Sequence, residues 1–429
     1  MDFWRLLGYS PTSFYTHSSP IDLHPKKPNS RPINLLDLCK EITPPCRLNP
    51  FLFNGHLQTF WTAVKSYDIP IYYKRHIFSA EDPTYAGTFA VDFVVEAYKD
   101  TDASLPPRTT YYTDNEFDGI GSMDDRPMVV TLHGLSGGSH EIYLRHVLRP
   151  LVDSGKWEAC VVNCRGCAGS KITTGVLYNA RATWDIRQVV KWLREKFPNR
   201  PLAGLGFSLG ANILVNYLGE EGEKCELKGA VVCSNPWNLD VSSVTLQSTW
   251  LGLEVYSKTM GTNMRGLVEQ HAEELAKNTR VDIERVRKIK YLFEFDRELQ
   301  GPTWGYPTEG AYYRDASSCD SLLAVRIPLL AINAEDDPIA VKEAIPFIEF
   351  QQNRFAVLLT TAMGGHLSWF ESGGGRWFAK PASQFLMKLA QDINLDKLSH
   401  SISPLHNGET STSAIFNPMR RKLQVQSVS

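Results

Sequence analysis

The sequence predicts an α/β fold: an open, mostly parallel sheet with helices covering both faces. Two patterns and the composition carry that expectation. Residues 129–132, 159–162, 202–206, 230–233, 329–332 and 356–359 are short continuous apolar runs that end in Gly or polar residues. Strands buried on both faces look like this, because neither face meets water. Stretches of helical periodicity lie between them, near 140–153, 180–197, 209–221 and 377–391. Strand–helix alternation of this kind winds a parallel sheet. With 429 residues, 43% apolar and 21% charged, the chain can bury a large core, which excludes disorder of the whole chain.

Taken in order, residues 1–48 are rich in Pro, Ser and Lys with little periodicity, and are expected to form a largely irregular, mobile extension. Alternating segments between Ile71 and Glu96 suggest antiparallel strands. The strand–helix core is expected to span 49–240 and 311–392. The interval between the runs at 230–233 and 329–332 is too long for one connection, so an insertion occupies 241–310. Its first half carries Leu246, Trp250, Leu251, Leu253 and Tyr256, and its second half places Val281, Ile283, Val286, Ile289 and Phe293 on one helical stripe. A helical lid over the sheet edge is the expectation, because long insertions in a compact fold are more often functional than structureless. An extra helical layer that only packs is the competing reading. Residues 393–429, with a run of Ser and Thr, read as a flexible tail.

The formal charge of −2, from 45 basic and 47 acidic side chains, supplies no long-range positive field for phosphates, so a nucleic-acid partner is not expected. The apolar runs fall far short of the roughly 18 residues that a membrane span needs. No basic start followed by an apolar stretch marks a secretory leader. Eight sparse cysteines, several inside strand-like runs, fit a reducing, intracellular and cytoplasmic setting.

Gly206-Phe207-Ser208-Leu209-Gly210 matches the sharp strand-to-helix turn that exposes a serine hydroxyl. The pattern recurs at Gly134-Leu135-Ser136-Gly137-Gly138, and only one copy can be that turn. Ser208 leads directly into a helix-forming stretch, whereas Ser136 precedes two glycines, which disfavour a helix start. Ser208 is therefore the candidate nucleophile and Ser136 a loop hydroxyl. The backbone N–H groups of Leu135 and Leu209 are candidates for an oxyanion hole. A serine needs a base to take its proton and a carboxylate to orient that base. His366 lies in Met363-Gly364-Gly365-His366-Leu367, just after the last apolar run, and Asp337 lies just after the preceding one. The chain order Ser208, Asp337, His366 is the order used by hydrolases of this architecture. Asp336 is the rival acid, with a turn-capping role as its alternative. His56, His133 and His140 are expected to support the loops rather than react. Cys164 and Cys167 lack the further pair or histidines of a zinc site, and Gly373-Gly374-Gly375 lacks the strand and helix of a phosphate loop.

Beyond these three residues, the stretches 49–59 and 133–141, Arg165-Gly166-Cys167-Ala168, Asn235-Pro236-Trp237 and the span from Tyr312 to Asp337 resemble one branch of the AB hydrolase superfamily. It is the branch that contains the fungal medium-chain fatty acid ethyl ester synthases and esterases. The resemblance covers about 49–392 and puts Ser208, Asp337 and His366 on the family's catalytic positions. It implies an α/β-hydrolase fold and an acyl-enzyme on Ser208. Water resolves the acyl-enzyme to an acid, or an alcohol resolves it to an ester. The implied partners are a small acyl donor, either an acyl-CoA or an ester, and an alcohol or water. No cofactor and no metal ion enter this chemistry. The resemblance also leaves room for peripheral association with lipid droplets or membranes. Two other readings stand beside it: an acyltransferase or hydrolase that tailors a specialised metabolite, and an inactive hydrolase-fold binding protein.

Overall fold

All six apolar runs fold as strands, and every one is buried. In chain order the strands are β1 (Thr12–Tyr15), β2 (Asp22–Leu23), β3 (Ile33–Asn34), β4 (Tyr72–Ser79), β5 (Thr88–Val95), β6 (Thr109–Tyr111), β7 (Met128–Leu132), β8 (Glu158–Asn163), β9 (Leu202–Phe207), β10 (Leu227–Cys233), β11 (Leu329–Ala334) and β12 (Ala356–Thr361). The structure is a computed structural model that describes residues 7–64, 68–99, 102–400 and 416–419. Ten strands form one sheet in the order β1-β12-β11-β10-β9-β7-β8-β5-β4-β6, while β2 and β3 pair separately. From β8 to β12 neighbouring strands run parallel. The antiparallel pair expected between Ile71 and Glu96 is β4–β5, which joins the sheet through β8.

Alternation along the strands feeds two cores. Val129, Val161, Leu205, Val231, Leu330 and Val357 face one side, where they meet the helices Ile142–Asp153 and Ala379–Asp392. Val130, Val162, Leu202, Val232, Ala331 and Leu358 face the other, against the helices Trp184–Lys196 and Leu209–Glu221. Asp185 in the first turn of Trp184–Lys196, with Arg194 and Lys196 in its last, sets charges favourably along the helix dipole. This is the α/β-hydrolase architecture, with a mostly parallel central sheet between helical layers.

Two expectations need correction. The segment before residue 49 is mostly irregular, but where it is described it packs onto the fold instead of standing off as a loose extension: β1 extends the sheet beside β12, and the helix Leu35–Ile42 buries Leu35, Leu38, Cys39 and Ile42 against the first core. A four-residue edge strand carries too little pattern to be read from sequence, and Asn34 caps the short helix by accepting from the Asp37 N–H. Residues 1–6 and most of the tail beyond 400 lie outside the described residues. The apolar stripe from Val281 to Phe293 is also not one helix. It breaks into Ile283–Arg287 and Leu292–Phe295, because Tyr291 is extended and the Glu294 carboxylate accepts from the N–H groups of Lys290 and Tyr291. Helical pieces run from Leu239 to Ala316, slightly wider than the expected 241–310. Among the described residues, no helix is long and apolar enough to cross a membrane.

Candidate active site

Ser208 is the single residue between β9 and the helix Leu209–Glu221. Its backbone sits at φ 51° and ψ −120°, a conformation that costs a non-glycine residue roughly 1–3 kcal/mol and persists only where neighbours enforce it. The enforcement is visible: the Ser208 N–H donates to the Cys233 carbonyl at 2.9 Å. A Cβ on Gly210 would come within 2.4 Å of the His133 carbonyl oxygen, so glycine lets the helix start pack against β7. Ser136, by contrast, sits in a loop where its N–H donates to the Tyr178 hydroxyl at 3.1 Å.

The loops after β11 and β12 open at the same edge of the sheet and carry the other two side chains. His366 Nε2 lies 2.9 Å from Ser208 Oγ, and His366 Nδ1 lies 2.8 and 3.1 Å from the two oxygens of Asp337. Asp337 is fully buried at its side chain, and its Oδ1 also accepts from the N–H groups of Ile339 and Ala340 at 2.8 and 2.9 Å. The carboxylate is therefore held in a fixed plane, facing the ring. Asp337 is the carboxylate at the His366 ring, whereas Asp336 Oδ1 accepts from Gly364 and Gly365 at 2.8 and 3.0 Å and so ties down the loop that presents His366. Sequence reasoning offered Asp336 only as a rival acid or turn cap. The structure gives it the second role, across two loops.

The same loop is gripped from its other side by the helix Gly55–Val64. The His366 N–H donates to Thr59 Oγ1 at 2.9 Å, and the Phe370 N–H donates to Gln58 Oε1 at 2.8 Å. Gly365, at φ +63°, has no room for a Cβ, which would meet the Gly55 carbonyl at 2.6 Å. Neither Gln58 nor Thr59 was singled out from the sequence as a support, although both fall in the stretch that carried the resemblance.

His133 is buried, with Nδ1 2.6 Å from the Gly134 carbonyl and Nε2 accepting from the Cys164 N–H at 3.0 Å, so it braces the loop containing Leu135. His56 Nδ1 contacts the Tyr256 hydroxyl at 2.8 Å and links Gly55–Val64 to the insertion. Burial keeps the His140 imidazole below its ordinary pKa. Burial likewise pushes the Cys167 thiol up to about 12 and raises the Cys164 thiol well above its ordinary value, so neither is a thiolate. Among the described residues, no group of His, Cys, Asp or Glu is arranged to hold a metal ion.

Ser208 opens into a largely apolar cavity. Leu135 and Leu209 line it beside the serine, and Leu246, Met260, Met264 and Phe293 of the inserted helices cover it. The insertion thus forms one wall of the cavity in addition to packing on the sheet. Asp296 and Tyr313 lie in the same wall; Tyr313 falls in a stretch that carried the resemblance, whereas nothing in the sequence marked Asp296.

A family model described as the alpha/beta hydrolase fold matches residues 127–372. The chain belongs to this family. Among its relatives within the family, a monoacylglycerol lipase of Saccharomyces cerevisiae is 37% identical, covering 81% of each chain. The medium-chain fatty acid ethyl ester synthase/esterase 2 of the same yeast is 32% identical, over 80% of this chain and 85% of that one. Phospholipase ABHD3 of Homo sapiens is 30% identical, over 79% and 76%. The branch of hydrolases that the sequence resembles is therefore among the relatives found.

Proposed function

We propose that the chain is a serine ester hydrolase that forms an acyl-enzyme on Ser208 and passes short- to medium-chain acyl groups to water or to an alcohol. The line of contacts from Ser208 Oγ through His366 to Asp337, opening beside an apolar cavity, carries this reading. In it, the Ser208 hydroxyl donates to His366 Nε2, and the His366 Nδ1–H donates to Asp337. When Ser208 attacks an ester carbonyl, His366 takes its proton and Asp337 stabilises the imidazolium. The developing oxyanion lies beside the N–H groups of Leu135 and Leu209. Leu209 is the first residue of its helix, so its N–H has no acceptor within that helix and points from the positive end of the dipole. Each such donor is worth roughly 2.7–4 kcal/mol to the transition state. Protonated His366 then expels the alkoxide, or the thiolate of an acyl-CoA, and the second half runs the steps in reverse with water or alcohol.

Names of relatives support the same chemistry, since a monoacylglycerol lipase and a fatty acid ethyl ester synthase/esterase both act at acyl esters. Transfer to an alcohol is the finer part of the proposal, and it rests on the cover that the inserted helices place over the cavity. The test is turnover of propyl octanoate, with octanoyl-CoA plus ethanol as a parallel assay. Ser208→Ala should lose about 10⁶ in kcat and should no longer react with a fluorophosphonate probe. Ester cleavage that survives in this variant would sink the assignment.

A further inference from the structure

The cavity beside Ser208 contains a buried acid that the acyl-transfer chemistry does not use. Asp296 opens the short π-type turn Asp296–Gln300 and is 6% exposed, in a wall whose apolar side chains include Leu246, Met264, Phe293 and Phe295. Its Oδ2 accepts from the Tyr313 hydroxyl at 2.6 Å. Among the described residues, no Lys, Arg or His pairs with it. Burial outweighs the tyrosine bond and pushes its carboxyl up to about 7.

An acid in such a place costs folding free energy unless it is satisfied, and a carboxyl offers about four acceptor positions, of which Tyr313 fills one. Two other polar side chains of the wall are engaged. Tyr312 Oη accepts from the Ala180 N–H, and Gln300 donates to the Tyr178 carbonyl while accepting from the Trp304 indole. Ser242 gives a second, independent sign: it is 5% exposed, lines the same cavity, and its hydroxyl has no hydrogen-bond partner among the described residues. A cavity made only to hold an alkyl chain has no need of an acid and a bare hydroxyl.

We propose that Asp296, set by Tyr313, accepts a hydrogen bond from a hydroxyl group carried by the substrate ester, so that the site selects hydroxylated esters over plain alkyl esters. This inference rests on the reading of Ser208 as the nucleophile and names the substrate class. No proton moves and no bond forms at Asp296; it is a binding residue.

The experiment compares three esters of matched size: propyl octanoate, 2,3-dihydroxypropyl octanoate and propyl 8-hydroxyoctanoate. The ratio of kcat/KM for each hydroxylated ester to that for propyl octanoate is measured within each protein, so general losses cancel. The wild type should prefer at least one hydroxylated ester, and which one tells whether the hydroxyl sits on the alcohol or the acyl side. Asp296→Leu should reduce that ratio about tenfold to a hundredfold, the range of a hydrogen bond to an ionisable group. Asp296→Asn, which keeps one acceptor oxygen, should fall between. Tyr313→Phe provides a second variant if the leucine protein fails to fold, and should also lower the ratio. A wild type without preference for either hydroxylated ester, or a preference that survives in the variants, would overturn the inference. Absence of all ester cleavage by a wild type whose Ser208 is also unlabelled by the probe would instead remove the reading beneath it.

Discussion

At the scale of single residues, His133 ties a titration to the shape of the site. Its ring bridges two loops, with Nδ1 at the Gly134 carbonyl and Nε2 accepting from the Cys164 N–H. Only the neutral imidazole can do both, since a protonated ring has no acceptor. Complete burial, the largest cause, lowers its pKa from 6.5 to about 4. The folded value is the depressed one, so the stabilisation is fully present above pH 6.5 and is lost as pH falls toward 4. A shift of that size corresponds to about 3 kcal/mol. His146, also lowered to about 4 by burial, adds to the same window. Urea unfolding followed from pH 7 to pH 4 should therefore show a steep fall in stability for the wild type. His133→Asn should be less stable at pH 7 and lose stability less steeply below 6.5, by up to about 1.4 kcal/mol per pH unit. Equal slopes would show that the ring does not titrate in this window.

At the scale of elements, the loop from Met363 to Leu367 is the part whose placement decides whether Ser208 has a base. Asp336 holds it from the β11 side, and Thr59 and Gln58 hold it from the helix Gly55–Val64. Asp336→Ala removes the acceptor for two N–H groups and frees the loop to shift. A misplacement on the order of 1 Å costs about 10²-fold, so kcat for propyl octanoate should fall by that much while KM changes little. Asp336→Asn keeps a carbonyl oxygen toward the glycines and should restore most of the rate. Failure of the asparagine variant to rescue would mean that the negative charge, and not the tether, is what matters. The three contacting side chains were legible in the sequence because each lies within a few residues of the end of an apolar run, in a turn or loop, as Ser208 does after 202–206 and His366 after 356–359. The tether was not legible, since an acid next to Asp337 looks the same whether it faces solvent or a neighbouring loop. The stripe at 281–293 misled for a related reason: apolar spacing survives a turn at Lys290 and Tyr291 that breaks the helix, and only the bond from Glu294 reveals the break.

At the scale of the whole molecule, a buried polar cluster joins the antiparallel strands β4 and β5 to the loop beside Ser208. Arg75 on β4 and Asp92 on β5 stand directly opposite each other, with two bonds of 2.6 and 2.8 Å and no exposure at either side chain. Asp92 Oδ2 also accepts from Ser139 Oγ at 2.5 Å and from the Asn163 amide at 2.8 Å, and Arg75 Nη1 donates to the Ala168 carbonyl at 2.7 Å. Ser139 closes the loop that begins at Gly134, so β4 and β5 hold the candidate oxyanion segment as well as extending the sheet. Opposite charges inside two alternating strands were visible in the sequence, but their register was not, and a slip of one residue would have turned them apart. Removing one member of a buried pair strands the other in a dry interior and typically costs about 3–5 kcal/mol. Asp92→Asn and Arg75→Met should each lose about that much in urea denaturation. The double variant Arg75→Met, Asp92→Leu should lose less than the sum of the two, because no uncompensated charge remains. Its deficit should lie in turnover: with no acceptor for Ser139, the Gly134–Ser139 loop is less firmly held, and kcat should fall further than stability does. A double variant whose stability loss equals the sum of the single losses would show that the two charges act independently, and an unchanged kcat would show that these strands do not position the site.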